Sequence, residues 1–254
     1  MDIRGEVAVV SGGASGLGLA TAAALVETGV RVILADRNEE AGQEAAAKLG
    51  DHATFVATDV VDETSVSELM RQASGIGAIR MVVSCAGIGI AERTIDRSGN
   101  PHDFSSFDRV IRVNLMGTFN MLRFGAQYLS RNDPLEGQRG VIINTASIAA
   151  YDGQIGQLAY AASKGGIVGL TLPAARDLSS VGIRVVTIAP GIMDTPLLGM
   201  LPEEVRAALG ASIPFPKRLG LPSDFAKLAI AILDNDYLNG EVIRLDGALR
   251  MPPR

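Results

Sequence analysis

Short runs of apolar residues recur along the chain at positions 7–10, 32–35, 81–83, 141–143, 185–189 and, shorter, 242–243. None alternates apolar with polar positions, and such unbroken runs suit strands covered on both faces of a parallel sheet. The segments between them, 17–27, 39–49, 63–73, 107–129, 158–178 and 224–233, have helical character. Strand and helix therefore alternate throughout, which predicts an α/β class with a doubly wound parallel sheet and helices on both faces. Two joints echo one another: Leu25 precedes Gly29-Val30-Arg31-Val32 as Leu178 precedes Gly182-Ile183-Arg184-Val185. In each, glycine suits the left-handed position that ends a helix, and the next strand starts at once.

Two polar stretches, 92–103 and 132–140, interrupt this rhythm and read as surface insertions that contribute to a mouth or an interface. A third irregular region, 192–218, holds Pro196, Pro202, Pro214 and Pro216 around a short helical piece and reads as a substrate lid. No charge block, repeat or Pro/Gly/Ser linker divides residues 1–254, so a single domain is expected.

Composition narrows the classes. With 47% hydrophobic and 20% charged residues the chain is globular, and its net charge of −5 gives no general basic field for nucleic acid or anionic lipid. No apolar run reaches the ~18 residues needed to span a bilayer. One cysteine, Cys85, cannot form an intrachain disulfide, and residues 1–6 resemble neither a secretory signal nor a transit peptide, so the cytoplasm is the expected compartment.

Candidate chemistry begins where the first strand meets the first helix. Ser11-Gly12-Gly13-Ala14-Ser15-Gly16-Leu17-Gly18 places glycines where backbone can approach a pyrophosphate at a helix N-terminus, although an ordinary turn needs glycine too. In this strand–turn–helix setting the motif predicts dinucleotide binding by a Rossmann-type sheet, with Gly12, Ser15, Gly16, Leu17 and Gly18 at the phosphates. Asp36 closes the second strand eighteen residues beyond Gly18, close to the spacing expected of a carboxylate that holds the adenosine ribose. It would repel a 2′-phosphate: like charges ~4 Å apart are worth about 4 kcal/mol at an effective dielectric of about 20, which favours NAD over NADP. Arg37 could receive that phosphate or be a solvated helix-start residue, and Asp36 could also cap the helix.

Tyr160 and Lys164 stand four residues apart, on one face of a predicted helix. A free phenol titrates near 10, so a base working near pH 7 needs about 4 kcal/mol of help, which a held cation supplies against desolvation. Ser147 follows the apolar run at 141–143, at the strand end where such sheets bind ligands, and its hydroxyl could hold a carbonyl or alcohol oxygen or simply cap a turn. Asn114 interrupts the apolar middle of a helix, either as an amide satisfied by a neighbouring carbonyl or as the anchor of a water-mediated proton path.

Together these residues resemble the short-chain dehydrogenase/reductase family, from about residue 3 to residue 251. The resemblance implies a catalytic set of Asn114, Ser147, Tyr160 and Lys164. Asp59-Val60 resembles the family's adenine contact, Cys85-Ala86-Gly87 its motif after the fourth strand, and Pro190-Gly191-Ile192 with Thr195 its segment beside the nicotinamide. The resemblance implies cofactor contacts from all of these, and from Tyr160 and Lys164 as well. Segments 12–21, 139–147, 163–169 and 239–248 are most similar to the family's 3-hydroxyacyl-CoA dehydrogenase branch. That likeness implies NAD-dependent oxidation of an (S)-3-hydroxyacyl-CoA to the 3-oxoacyl-CoA, in a homotetramer. Ser147, Tyr160, Gln154 and Gln157 would then lie on the substrate side, the two glutamines equally suiting capping or surface roles. A hydroxysteroid or other secondary alcohol is the alternative substrate, and a noncatalytic NAD-binding regulator the remote one. Two positions depart from the pattern: Ser84 where the family has Asn, and Asp194 where that branch has Gly. His52 and His102 lack partners at ligand spacing, so no metal is expected, and Cys85 suits packing better than covalent catalysis.

Overall fold

The computed structural model describes residues 1–199 and 202–253; Met200, Leu201 and Arg254, which fall within the expected lid and domain spans, lie outside the described residues. Seven parallel strands form one sheet: β1 (Val7–Ser11), β2 (Arg31–Asp36), β3 (Ala53–Ala57), β4 (Ile79–Ser84), β5 (Gly140–Thr145), β6 (Ile183–Pro190) and β7 (Val242–Leu245). Their order is β3-β2-β1-β4-β5-β6-β7, so the chain winds outward from β1 in one direction and then, after β3, in the other. The apolar runs mark six of these strands. The seventh, β3, is an edge strand with only partial burial, and its Ala-Thr-Phe-Val-Ala sequence carries no apolar run for that reason.

The central strands are apolar without alternation because both of their faces are covered. Ala8, Val10, Val32, Leu34, Met81, Val83, Val141 and Ile143 pack toward one cluster, which includes Ala22 and Leu25 of α1 (Gly16–Glu27), Ala45 of α2 (Glu39–Leu49) and Phe225 of the later helix over Pro222–Asp234. Their neighbours Val7, Val9, Ile33, Val82 and Ile142 point the other way, onto α3 (Glu63–Ile76), α5 (Gly117–Leu129) and α6 (Leu158–Ser179). Both echoed joints are built as expected, with Gly29 at φ 83° and Gly182 at φ 68°.

The segment expected as one helix over 107–129 is three pieces. It starts earlier as α4 (Phe104–Ile111), widens into a π turn over Arg112–Met116, and resumes as α5. Asp103 starts α4 by accepting from the N–H groups of Ser105 and Ser106. Residues 192–218, expected as a lid, contain α7 (Pro196–Gly199) and α8 (Glu203–Ser212), followed by α9 (Pro222–Asp234). The insertions part company. Residues 92–103 dock on the loop before α6, where the Glu92 N–H donates to the Gly156 carbonyl at 2.8 Å. Residues 132–140 turn tightly at Glu136-Gly137 and pack beside Gly182, at the end of β5 away from the strand tips that bear Asp36, Cys85 and Ser147.

Candidate active site

The glycine turn is dictated by close approach of backbone to backbone. A Cβ on Gly18 would meet the Gly12 carbonyl oxygen at 2.2 Å, and one on Gly12, at φ 65°, would meet the amide of Ala86 at 2.8 Å. Residues Gly12, Gly18 and the Cys85-Ala86 backbone are thus one packed unit. Gly16, at φ 53°, faces Thr195 and Pro196, each 3.6 Å from where its Cβ would stand. Ser15 is exposed and makes no capping hydrogen bond, and the first turn of α1 carries no acidic residue. The helix N-terminus therefore keeps its partial positive charge for an anion. A dinucleotide pyrophosphate fits this cradle, because side chains are missing where it would press closest.

Asp36, at the tip of β2, accepts from the Ala14 N–H at 3.2 Å and from the Asn38 N–H at 3.1 Å. Each carboxylate oxygen has a second lone pair, so capacity for a ribose diol remains. It does not cap α2; Asn38 does, accepting from the Ala41 N–H at 3.1 Å. Arg37 turns toward Asp59, with Nε 3.6 Å from the Asp59 carboxylate, and is well exposed. Val60 beside it is buried, its carbonyl accepting from Asn120 at 2.9 Å.

Beyond β4 the chain runs past the glycine turn through Cys85, Ala86 and Gly87. Burial pushes the Cys85 thiol up to about 11, which leaves it inert, and the Thr145 hydroxyl donates to its sulfur at 3.5 Å. A Cβ on Gly87 would sit 3.2 Å from Asn114 Oδ1 and 3.6 Å from Lys164 Nζ, so this strand tip, the π turn and α6 converge at one point. Asn114 is fully buried, and its amide is satisfied by the Ile88 main chain and the Ser163 hydroxyl. Its Oδ1 accepts from the Ile88 N–H at 2.8 Å, while Nδ2 donates to the Ile88 carbonyl at 2.9 Å and to Ser163 Oγ at 3.0 Å. The π turn around it departs from regular helical hydrogen bonding, a feature frequent at functional sites.

Ser147 lies two residues past β5, nearly buried, and its Oγ accepts from the Ala149 N–H at 3.1 Å at the start of a single 3₁₀ turn. Tyr160 and Lys164 emerge from the first turns of α6. Lys164 is buried, donates to the Thr145 carbonyl at 2.8 Å and stands 5.7 Å from the centre of the Tyr160 ring. Burial holds the Lys164 ammonium down at about 8. Burial also pushes the Tyr160 phenol above its usual range, and its neighbour Ser147 acts in the opposite direction. Both groups are therefore pressed toward their neutral forms, the shift a low-polarity site imposes on each.

Pro190 ends β6, and Gly191 packs so closely on Asp246 that a Cβ would lie 2.9 Å from its Cα. Ile192 and Thr195 follow, Thr195 over the glycine turn. Gln154 and Gln157 are engaged locally: Gln157 Oε1 accepts from the Gln154 N–H at 3.0 Å, and Gln154 Nε2 donates to the Pro252 carbonyl at 3.1 Å. Among the described residues no group of His, Cys, Asp and Glu is placed to hold a metal ion.

Three residues join the site that sequence reasoning passed over. Gly13 is pressed on the Val10 carbonyl; Ser163 links Asn114 to the Tyr160 carbonyl, donating at 2.7 Å; and Thr145 anchors Lys164. A hydroxyl between Tyr160 and Lys164, about one helical turn past Tyr160, was the available signal for Ser163.

Comparison with known proteins agrees with this fold. A family model described as short chain dehydrogenase matches residues 6–206. The chain is 53% identical over 254 residues to 3-hydroxyacyl-CoA dehydrogenase type-2 of Homo sapiens, covering 99% of this chain and 97% of that protein. The crystal structure of 3-hydroxyacyl-CoA dehydrogenase type-2 from Mycobacterium avium superposes with a TM-score of 0.95 at 49% identity, covering 98% of each chain. That of 3-ketoacyl-(acyl-carrier-protein) reductase from Brucella melitensis, complexed with NADH, gives 0.87 at 28% identity, over 98% of this chain and 100% of the other.

Proposed function

The chain belongs to the short-chain dehydrogenase family, and from that premise we propose that it is an NAD-dependent oxidoreductase interconverting (S)-3-hydroxyacyl-CoA and 3-oxoacyl-CoA. The observation that carries the chemistry is the convergence of Ser147, Tyr160, Lys164 and Asn114 on the strand tips beside the glycine turn. The acyl-CoA assignment is supported by the relatives that share about half of its residues.

In this reading Tyr160 takes the proton from the substrate hydroxyl and returns it in the reverse direction. Ser147 positions the reacting oxygen. Lys164, fixed on Thr145, brings positive charge near the phenol and lowers the cost of ionising it; Asn114 anchors the proton path from the buried side. Gln154 and Gln157 shape the substrate side. NAD, when bound, supplies the hydride-accepting chemistry. Gly12, Ser15, Gly16, Leu17 and Gly18 would hold its pyrophosphate, Asp36 its adenosine ribose, and Asp59 and Val60 its adenine side. Cys85, Ala86 and Gly87, with Pro190, Gly191, Ile192 and Thr195, would line the nicotinamide half. Arg37, paired with Asp59, leaves Asp36 to disfavour a 2′-phosphate.

We place the enzyme in the cytoplasm as a homotetramer, in a single domain whose lid is 192–218. Exposed Met116, Phe119, Leu158 and Leu172, around the π turn and on α5 and α6, support self-association. No helix among the described residues is long and apolar enough to cross a membrane. The deciding experiment compares initial rates with NAD and NADP on 3-hydroxybutyryl-CoA, a hydroxysteroid and a simple secondary alcohol. Fast NAD-dependent turnover of the CoA ester is expected. Turnover confined to another alcohol would keep the catalytic assignment and discard the acyl-CoA, and tight NAD binding without any turnover would mark a regulator.

A further inference from the structure

Helix α8 is weakly held for its length. Of its ten residues only Gly210 is buried, and its first half meets the rest of the fold through Arg206. Arg206 Nη2 donates to Asp194 Oδ1 at 2.6 Å and Nη1 to Glu203 Oε2 at 2.9 Å, so its fork joins the helix to the segment that follows β6. Asp194 is itself fixed, since its N–H donates to the Gly220 carbonyl at 2.7 Å. It directly precedes Thr195, which faces Gly16 in the glycine turn. At the other end of α8, Ile213 packs in a small cluster with Ile148, the residue after Ser147, and Leu249. The helix is therefore strung between the Ser147 turn and the Thr195 segment, that is, between the two halves of the site.

We propose that Asp194 is a positioning residue for the reaction: through Arg206 it latches α8 over the mouth and sets how well the acyl-CoA is retained. The proposal rests on the substrate reading above. A charge pair this accessible adds little to global stability. It matters locally because α8 has almost no buried apolar surface to keep it in place, so a small energy decides how often it is open. The carboxylate–guanidinium bond is short and charge-assisted. Neither partner touches Tyr160, Lys164 or Ser147, so its loss acts on substrate retention and leaves the chemical step alone.

The test is Asp194→Asn and Arg206→Gln, each compared with the charge-preserving Asp194→Glu. In the two charge-removing variants KM for 3-hydroxybutyryl-CoA is expected to rise about two- to five-fold with kcat nearly unchanged. Amide hydrogen exchange over 203–212 should quicken by a similar factor in the ligand-free enzyme, while Asp194→Glu stays close to the parent in both. High salt should narrow the difference, because the pair is only partly buried and is still screened in part. Unchanged exchange in α8 on removing either charge overturns the latch. So does a fall in kcat at constant KM. If the parent enzyme fails to turn over the CoA ester, the substrate reading falls, and the exchange measurement still decides the latch by itself.

Discussion

Asn114 and Ile88 exchange two hydrogen bonds, the side-chain amide acting toward the main chain after β4 as a neighbouring strand would. The asparagine therefore completes the backbone at the strand tip as well as standing in the proposed catalytic set. Asn114→Ala leaves the part-buried Ile88 N–H and C=O without these partners, at up to roughly 1–3 kcal/mol for each group that stays unsatisfied. At roughly 2–4 °C per kcal/mol, a melting curve should show a drop of several degrees, and kcat should fall with it. A variant that lost activity at unchanged stability would separate the two roles.

The ionisation of Tyr160 sets the expected pH behaviour. Burial makes the phenolate rarer at a given pH, so alcohol oxidation should speed up as pH rises. Lys164, held at about 8, is mostly charged below that value and favours the phenolate there; above it the help fades as the amine deprotonates. Their titrations belong to the pair. Lys164→Met should move the rising limb of kcat/KM to higher pH, and Lys164→Arg should move it part of the way back. Tyr160→Phe should cut kcat by about 10²–10⁴ and leave NAD binding nearly intact.

Gly18 tests the cradle without touching any group that does chemistry. A methyl at this position collides with the Gly12 carbonyl, so Gly18→Ala must displace the turn. Overpacking of this kind costs about 1–3 kcal/mol. Calorimetric titration with NAD should show weakened binding, alongside a lowered melting temperature. Normal NAD affinity in this variant would remove the glycine turn from the cofactor site.

Cofactor preference hangs on Asp36. Removing its carboxylate with Asp36→Ala admits the extra phosphate of NADP and also frees the Ala14 N–H that shapes the turn. The ratio of kcat/KM for NAD to that for NADP should fall at least about ten-fold, since ~1.4 kcal/mol suffices for that and the charge repulsion is worth more. NAD activity should drop as well. An unchanged ratio would shift the assignment to another residue.

Ser84 sits in β4 opposite Asn144 of β5. Both side chains are buried, and neither the serine hydroxyl nor the asparagine amide has a hydrogen-bond partner. Ser84→Ala removes a polar group that forms no bond, so thermal melting should show equal or greater stability.

Most of the architecture was readable because the sheet is covered on both faces, and burial of that kind writes itself into the chain as apolar runs. The edge strand β3 escaped since half-burial leaves Thr54 and Ala57 at exposed or partly exposed positions. The glycine turn and Asp36 were legible from their spacing within one strand–turn–helix–strand unit, and Tyr160 and Lys164 from their spacing on one helix. Ser163, Thr145 and Ile88 were not, because their parts are played through a hydroxyl link or main-chain atoms whose partners come from distant segments. Nor could Arg206 be foreseen: nothing in the spacing of Asp194 and Arg206 distinguishes a pair from two solvated charges. The π turn was hidden for a related reason, since one extra residue in a helix shifts a periodic pattern without erasing it.

That extra residue also binds the site to the core. A π turn holds one residue more than the α-helical turn it replaces, which puts α4 and α5 out of phase by about 100°. Val110 before it is buried where α4 packs on α6, and Met121, Leu122 and Leu129 after it are buried where α5 packs on β4 and α3, so the packing on each side fixes the phase between the two helices. Deleting one residue from 112–116 would straighten the helix and swing one of these apolar stripes toward water. The irregular backbone around Asn114 is thus held by a ratchet: gradual substitution leaves it in place, and the single deletion that would undo it costs the protein its packing.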